Sequence, residues 1–333
     1  MGKTVHLEDG TAIPVPGFGA MGMSAFYGAR NDDQSKQALR KAIEIGCTCW
    51  DTAHIYGQGA NERLLGEILR EGDNRKKVFL ISKFGIEFTP DGKAVADGSP
   101  ENVIRAINTS IKDLGGLYPD AYLLHRMDKK TPIEETVRAL DAIRKEGKTK
   151  YIGLSECSVE TLRRAAKEAK IDFVEVEYSP WELTMEHNGV LDACKELGVK
   201  VLAYSPLGRG FLTGRYKSPE DFAAADGSDF RATLPRFAKE NWTRNYRIVE
   251  EFGRLAKAKG CTPAQLALAW LIHQGDNIIP IPGTKSEKYL VENFAAGEID
   301  LSQDELAEIR RVIEANQPVG TRYQEEGMKS LDA

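Results

Sequence analysis

Eight short apolar runs alternate with helical segments along almost the whole chain, and this alternation constrains the fold more than any other feature. Each run has the length of a buried strand, and each precedes a segment whose apolar residues keep helical spacing. Strict alternation is typical of parallel α/β folds, and eight units favour a (β/α)8 barrel over a doubly wound sheet. Since no linker divides the chain, we expect residues 1–333 to form one barrel domain. The predicted strands are residues 17–23, 47–51, 78–83, 120–125, 149–155, 172–178, 200–205 and 277–282.

The predicted helices begin and end at residues that favour helix termini. Ser-Pro at 99–100 and Thr-Pro at 131–132 each place a capping side chain before a proline, and Gly46 stops the first helix. Asp-Gly at 9–10 predicts a β-hairpin ahead of the barrel. Residues 206–239 are rich in Gly, Asp and Pro, so we expect a long irregular loop with a functional role. The predicted helices are residues 31–46, 60–71, 99–114, 131–147, 158–169, 189–197, 241–259 and 262–273, with a last one from residue 286.

Composition narrows the classes of partner. With 41% hydrophobic residues the chain can bury a large core, and its formal charge of −5 argues against nucleic acid, because phosphate binding needs a concentrated basic surface. No apolar run approaches the roughly 18 residues of a membrane helix, and no N-terminal apolar segment indicates secretion. We therefore expect a cytoplasmic protein without membrane partners; the oligomeric state stays open. The cysteines form no C-x-x-C pair, which predicts reduced thiols, and no ligand set has metal spacing: Cys47, Cys49, Cys157, Cys194 and Cys261.

Polar residues follow three consecutive predicted strands at the point where each strand ends. Asp51 ends the second strand and Tyr56 lies in the loop after it, while Lys83 and His125 end the third and fourth strands. In a parallel barrel these positions meet at the C-terminal rim, where active sites form. A lysine about 4 Å from a phenol contributes about 4 kcal/mol at an effective dielectric constant of about 20, or roughly three pKa units. We therefore expect Lys83 to lower the pKa of Tyr56, with Asp51 offsetting part of that charge.

Each of these four residues also has an ordinary explanation. A strand-end acid or lysine is often solvated, and a tyrosine or histidine is often a packing residue. Those explanations give no reason for all four to fall at equivalent rim positions, so we interpret them as one catalytic group.

The chain resembles the aldo-keto reductases through a set of motifs that spans residues 17 to about 293. The resemblance implies a (β/α)8 barrel that binds NADPH or NADP+ across its C-terminal face and reduces aldehydes or ketones. It also implies that Tyr56 donates the proton, that Lys83 and Asp51 adjust the acidity of the Tyr56 phenol, and that His125 orients the substrate carbonyl. The motifs are Asp51 to Gly57, Lys83, Leu124-His125, Ile152 to Ser155, Glu177-Tyr178-Ser179, Tyr204 to Gly210, and Ile281 to Lys285.

The same resemblance implies the cofactor contacts. The glycine-rich stretch 205–214 would wrap the pyrophosphate with backbone N–H groups, and Tyr204 would stack on the nicotinamide. The helix that opens after Gly283 would attract phosphate at its N-terminus, where Lys285 and Lys288 could meet the adenosine phosphate. The predicted cofactor residues are Met21, Gly22, Ser155, Glu175, Tyr204, Ser205, Leu207, Arg209, Gly210, Gly283, Thr284, Lys285, Tyr289 and Asn293.

The chain departs from the better-known branches of the family at four positions. Glu156 and Glu175 stand where those branches have asparagine and glutamine, and Gly283 and Tyr289 where they have lysine and arginine. Glu156 and Glu175 affect the expected contacts with the nicotinamide carboxamide of the cofactor. Gly283 and Tyr289 affect the expected preference for NADPH over NADH. The pattern is closer to the branch of pyridoxal reductase-like and auxin-induced-like proteins. Apolar residues predict the substrate pocket without naming the substrate: Met23, Tyr27, Phe84 and Trp181, with the loop after Phe211.

Two other classes of function remain open at the level of sequence. The chain could be a cofactor-binding partner subunit, because potassium-channel beta subunits resemble this family and keep the four residues. It could instead be a barrel enzyme of sugar chemistry, which needs paired carboxylates such as Glu156 and Glu175. Turnover of a simple aldehyde separates a reductase from a partner subunit.

Overall fold

The barrel is built from eight parallel strands in a single sheet. The computed structural model describes residues 2–27, 30–89, 93–222 and 229–332. Strand order in the sheet is β12-β11-β10-β9-β8-β5-β4-β3, while β1 and β2 pair as one hairpin and β6 and β7 as another. The strands are β1 Thr4–His6, β2 Ala12–Pro14, β3 Phe18–Gly19, β4 Cys49–Asp51, β5 Phe79–Phe84, β6 Ile86–Phe88, β7 Ala94–Ala96, β8 Ala121–Leu124, β9 Tyr151–Ser155, β10 Phe173–Glu177, β11 Lys200–Tyr204 and β12 Ile278–Pro280.

Backbone hydrogen bonds between the first and last strands close the barrel. Gly17 N donates to Pro280 O at 2.9 Å, and Gly19 N donates to Pro282 O at 3.2 Å. The seam requires glycine, because a Cβ on Gly19 would lie 2.8 Å from the carbonyl oxygen of Ile281. The predicted (β/α)8 barrel is thereby confirmed.

Helices surround the sheet, and their ends show the chemistry that the sequence predicts. The Asn31 side chain accepts from Gln34 N, and Thr262 and Gln265 form a reciprocal capping box; a cap of this kind contributes about 1 kcal/mol. The helices are α1 Asp32–Ile45, α2 Ala60–Leu69, α3 Asn74–Lys77, α4 Pro100–Asp113, α5 Ile133–Lys145, α6 Val159–Glu168, α7 Thr184–His187, α8 Val190–Glu196, α9 Lys239–Lys259, α10 Pro263–Ile272, α11 Glu287–Phe294, α12 Gln303–Ala315 and α13 Glu325–Lys329. None of the helices in the described ranges is long and apolar enough to cross a membrane.

The N-terminal hairpin covers one end of the barrel. Val5 and Ile13 are buried together with inward-facing residues of the strands, including Phe79 and Phe173. The phenol of Tyr151 at the start of β9 donates to Asp9 in the hairpin turn at 2.6 Å. Apolar packing therefore closes this end of the barrel in the described structure.

Several local predictions were wrong. Thr131 does not cap α5: its hydroxyl donates to Asp128 at 2.7 Å, and the helix begins after Pro132. The first strand covers only Phe18–Gly19 and is followed by a 3-10 turn. The predicted loop 206–239 contains four 3-10 segments in its described part, and residues 223–228 lie outside the described residues.

Candidate active site

A cavity of about 980 Å³ opens at the carboxyl ends of the barrel strands. Its wall comes from the loops that follow these strands and from the C-terminal segment through Tyr323. Most of the predicted site residues lie in this wall: Met21, Gly22, Tyr27, Asp51, Tyr56, His125, Glu175, Tyr204, Ser205, Leu207, Arg209, Gly210, Gly283, Thr284, Lys285, Tyr289 and Asn293.

The stagger of the strands brings the catalytic candidates to one level. Asp51 pairs in register with Ile81, and Lys83 lies two residues further along β5 on the same face. Lys83 in turn pairs with Leu123, and His125 lies two residues beyond that. Since side chains alternate faces along a strand, Asp51, Lys83 and His125 all point into the barrel. A step of two residues per strand therefore produces the cluster.

The loop after β4 places Tyr56 above this cluster. His54 N donates to Lys83 O at 3.1 Å, and Asn61 N donates to Tyr56 O at 3.2 Å, so the loop is fixed at both ends. The Tyr56 ring packs edge-on against His125 with 5.7 Å between ring centroids. Lys83 Nζ lies 5.4 Å from the centroid of the phenol ring.

Lys83 is an ion-pair partner of two acids. Its Nζ lies 2.5 Å from Asp51 and 3.0 Å from Glu175, and all three side chains are buried. Burial opposes the ammonium form, but the two carboxylates outweigh it and raise the pKa of Lys83 above its ordinary value. The sequence predicted the contact with Asp51 and placed Glu175 only as a cofactor contact.

The electrostatics correct one prediction about Tyr56. Burial raises the pKa of its phenol above the ordinary value of 10.0; the charge of Lys83 acts in the opposite direction, while Asp51 and Glu175 reinforce the rise. The prediction that Lys83 lowers the pKa of Tyr56 is wrong because it considered only the charges of Lys83 and Asp51. It left out the second carboxylate, Glu175, and the desolvation of the phenol. Burial and the nearby Arg126 and Lys83 lower the pKa of His125 well below 6.5, so its imidazole is neutral at pH 7.

A second buried network borders the cavity beside the first. Arg322 donates to both carboxylate oxygens of Glu156 at 3.0 and 2.6 Å, and Tyr204 donates to Glu156 at 2.7 Å. Arg209 pairs with Glu177 at 3.0 Å. Glu156 and Glu175 thus belong to separate ion pairs, Glu156 with Arg322 and Glu175 with Lys83, which argues against their acting together as an acid and a base in sugar chemistry.

Two residues missed by the sequence analysis come from the C-terminal segment. Arg322 completes the ion pair of Glu156, and the hydroxyl of Tyr323 lies 3.0 Å from that of Tyr204. Arg126 was given no role but lines the cavity, donating to His125 O at 2.7 Å. No sequence signal pointed to Tyr323, because it lies 119 residues from its partner.

The loop after β11 contains several residues with a left-handed backbone conformation. Ser205 and Arg209 both have positive φ, at 50° and 59°, and Gly208 and Gly210 adopt the left-handed region as well. Such conformations cost about 1–3 kcal/mol in residues other than glycine and cluster at ligand sites. One guanidinium nitrogen of Arg209, Nη1, is buried without a hydrogen-bond partner in the described structure.

At the far end of the cavity the two predicted phosphate lysines differ. Lys285 lies in the wall, and its Nζ donates to Tyr27 O at 2.9 Å. Lys288 is exposed in the first turn of α11, and its ammonium lies over the ring of Tyr289. It is not one of the described residues that line the cavity. Arg215 and Arg231 line this end instead, and the sequence analysis named neither.

The structure also corrects the placement of four other predicted contacts. Phe84 stacks on Tyr122 with 5.2 Å between centroids, and Trp181 stacks on Phe211 at 4.5 Å. Both belong to the hydrophobic core, Phe84 on the outward face of β5 and Trp181 in the loop after β10. An apolar side chain alone does not distinguish a core position from a pocket. Within the described chain, the buried residues Met23 and Ser155 also lie outside the wall. Ser155 contacts Arg126 at 3.3 Å.

Outside the cavity, one group among the described residues has metal-ligand geometry. His54, Glu62 and Asp113 bring their ligand atoms within 4.8 Å of one another. Arg63 already pairs with Asp113 at 2.9 Å, and Ser82 donates to Glu62 at 2.6 Å. We assign no function to this group.

The family model that matches this chain, two relatives and a similar solved structure all represent aldo-keto reductases. The aldo/keto reductase family model matches residues 17–314. An aldo-keto reductase of Gibberella moniliformis is 45% identical over 99% of both chains. The aldo-keto reductase yakc of Schizosaccharomyces pombe, which carries NADP(+) in its name, is 44% identical over 93% of this chain and 92% of its own. The crystal structure of an aldo-keto reductase from Klebsiella pneumoniae in complex with NADPH superposes with a TM-score of 0.73 at 28% identity, covering 97% and 99% of the two chains.

Proposed function

The chain belongs to the aldo/keto reductase family, and we propose that it reduces aldehydes or ketones to alcohols with NADPH, Tyr56 acting as the general acid. The observation that carries this proposal is the buried group of Asp51, Lys83, Tyr56 and His125 at the carboxyl ends of the strands. The S. pombe relative and the K. pneumoniae structure support the choice of cofactor through the NADP(+) and NADPH in their names.

The wall of the cavity fits a dinucleotide. The left-handed turns at 205–210 expose backbone N–H groups, and the buried Arg209 Nη1 is a donor without a partner in the described structure; both suit a diphosphate. Lys285 and Asn293 would hold the adenosine phosphate end, and Tyr204 with Glu175 would border the nicotinamide. When bound, the cofactor supplies the hydride, which no side chain can donate.

The residues of the chain perform the remaining tasks. A raised pKa keeps the phenol of Tyr56 protonated at neutral pH, and a protonated group is what the developing alkoxide requires. His125 is neutral and edge-on to Tyr56, so it can hydrogen-bond the carbonyl oxygen without competing for the proton. Lys83 stabilises the phenolate that forms when Tyr56 gives up its proton.

The proposal is tested by following NADPH absorbance with a panel of aldehydes, ketones and pyridoxal. We expect turnover of at least one class of carbonyl, with a slower rate when NADH replaces NADPH. Tight NADPH binding without turnover of any member would contradict the proposal and favour a cofactor-binding partner subunit.

A further inference from the structure

The buried catalytic cluster holds two carboxylates for a single ammonium. Asp51 on β4 lies 2.5 Å from Lys83 Nζ, and Glu175 on β10 lies 3.0 Å from the same atom. The side chains of Asp51 and Glu175 are each 4% exposed, and that of Lys83 is fully buried. Since β10 is separated from β5 by β8 and β9, Glu175 reaches this ammonium across the barrel interior.

The two carboxyl groups face the same Lys83 Nζ, Asp51 at 2.5 Å and Glu175 at 3.0 Å, so the two acids are neighbours around one cation. Burial and the charge of Glu175 raise the pKa of the Asp51 carboxyl well above its ordinary value. Two adjacent acids in a buried site cannot both ionise easily, because like charges and desolvation both oppose it. One oxygen of Glu175, Oε2, is buried without a hydrogen-bond partner in the described structure, although it faces Lys83.

Among the described residues, the other buried arginines near this pair are engaged elsewhere. Arg209 and Arg322 are engaged by Glu177 and Glu156. Arg126 faces Tyr56 and directs its hydrogen bonds to His125 O and Ser155 Oγ.

The other titratable groups of the cluster carry no charge at neutral pH. Burial raises the pKa of the Tyr56 phenol, and burial with the nearby Arg126 and Lys83 lowers the pKa of His125, so both groups are neutral at pH 7. The charged groups that act on the phenol are the cations Lys83 and Arg126 and the acids Asp51 and Glu175.

We propose that Asp51 and Glu175 hold one proton between them beside Lys83, and that Glu175 is a positioning residue which keeps Tyr56 protonated as pH rises. This inference rests on the proposed function, because it concerns how the same phenol is tuned.

The sign of the effect follows from the order of the ionisations. Raising the pH first removes the shared proton, which adds one negative charge beside the phenol. That charge raises the pKa of Tyr56, so the phenol remains an acid and reduction continues to higher pH. The pair and the phenol titrate as one coupled unit.

Infrared difference spectroscopy on the whole protein without cofactor tests the shared proton directly. We expect the carbonyl stretch of a protonated carboxylic acid at neutral pH, lost on alkaline titration. It should be absent in Glu175→Gln and in Asp51→Asn, because each variant leaves a single carboxylate paired with Lys83. Glu177→Gln is the matched control: it removes a buried acid of the same strand that is paired with Arg209, and the band should remain.

Absence of the band from the wild-type protein at neutral pH, or its persistence in Glu175→Gln, would overturn the proposal. The wild-type titration alone decides the point if a variant fails to fold. Because this measurement needs no turnover, it is independent of whether the protein reduces carbonyls.

The pH profile of reduction tests the role of Glu175. In Glu175→Gln no additional negative charge develops beside the phenol as the pH rises. The alkaline limb of the pH–rate profile should therefore move to lower pH by roughly one to two units. A uniformly lower rate with an unmoved limb would show that Glu175 only supports the structure. A shifted limb together with the expected infrared band supports the proposal.

Discussion

At the scale of single residues, the phenol of Tyr56 shows how burial competes with charge. Lys83 favours the phenolate, but desolvation and the two carboxylates around the lysine act against it, and the pKa rises. A protonated phenol beside a buried cation is ready to donate once negative charge develops on a substrate oxygen. In the proposed mechanism, catalysis depends on Lys83 stabilising the phenolate product of proton transfer more than on an acidic tyrosine.

His125 should act by orienting the carbonyl. Its Nδ1 is buried without a hydrogen-bond partner in the described structure, and its neutral ring leaves proton donation to Tyr56. His125→Gln keeps a hydrogen-bond donor, whereas His125→Ala keeps none, so we expect the alanine variant to lose more of kcat/KM for the same aldehyde. Steady-state kinetics of the two variants measure this, and equal losses would argue against orientation.

Lys285 should read the phosphate that distinguishes NADPH from NADH. It lies in the cavity wall, and a charge-assisted hydrogen bond contributes about 1.5–3 kcal/mol. We expect Lys285→Ala to weaken NADPH binding about ten-fold or more while leaving NADH nearly unaffected. Titration of both cofactors by protein fluorescence measures the two dissociation constants.

Lys288→Ala is the matched control for this experiment, because Lys288 is an exposed lysine in the first turn of α11, three residues after Lys285. It should change neither affinity appreciably. Parallel losses of NADH and NADPH affinity in Lys285→Ala would mean that Lys285 holds the loop through Tyr27 O and does not read the phosphate.

At the scale of elements, the seam between β3 and β12 limits the stability of the barrel. A Cβ on Gly19 would contact Ile281 O at 2.8 Å, whereas a Cβ on Gly253 in α9 would meet nothing within 4 Å. We expect Gly19→Ala to lower the free energy of unfolding by about 1–3 kcal/mol, and Gly253→Ala to raise it by about 0.5–1 kcal/mol. Urea denaturation measures both, and an unchanged midpoint for Gly19→Ala would contradict the close approach at the seam.

Helix termini could be predicted from the sequence where they depend on residues close by in the chain. Ser99 caps α4 as expected, because a side-chain oxygen next to a helical pattern needs no distant partner. Phe84 and Trp181 were misplaced because apolar residues after a strand suit a core and a pocket equally well. The β6–β7 hairpin was missed because each of its strands is only three residues long, too short to show an alternating pattern.

At the scale of the whole molecule, the site depends on contacts between distant parts of the chain. The residues Asp51, Lys83 and His125 follow from strand order and stagger, which the alternating pattern predicts. Glu175, Arg322 and Tyr323 reach the same cavity from later parts of the chain, and spacing in the sequence carries no information on such pairings. The clustering of these residues was therefore predictable, whereas their electrostatic surroundings were not.

The most direct test of the account is the rate of NADPH-dependent carbonyl reduction by Tyr56→Phe, measured with NADPH affinity on the same samples. Tyr118→Phe, which alters a phenol that is 50% exposed, serves as the matched control. The account predicts that Tyr56→Phe lowers the rate by about 10²-fold or more, while NADPH binds almost as tightly as to the wild-type protein. A Tyr56→Phe protein with near-normal turnover would contradict the assignment of Tyr56 as the general acid.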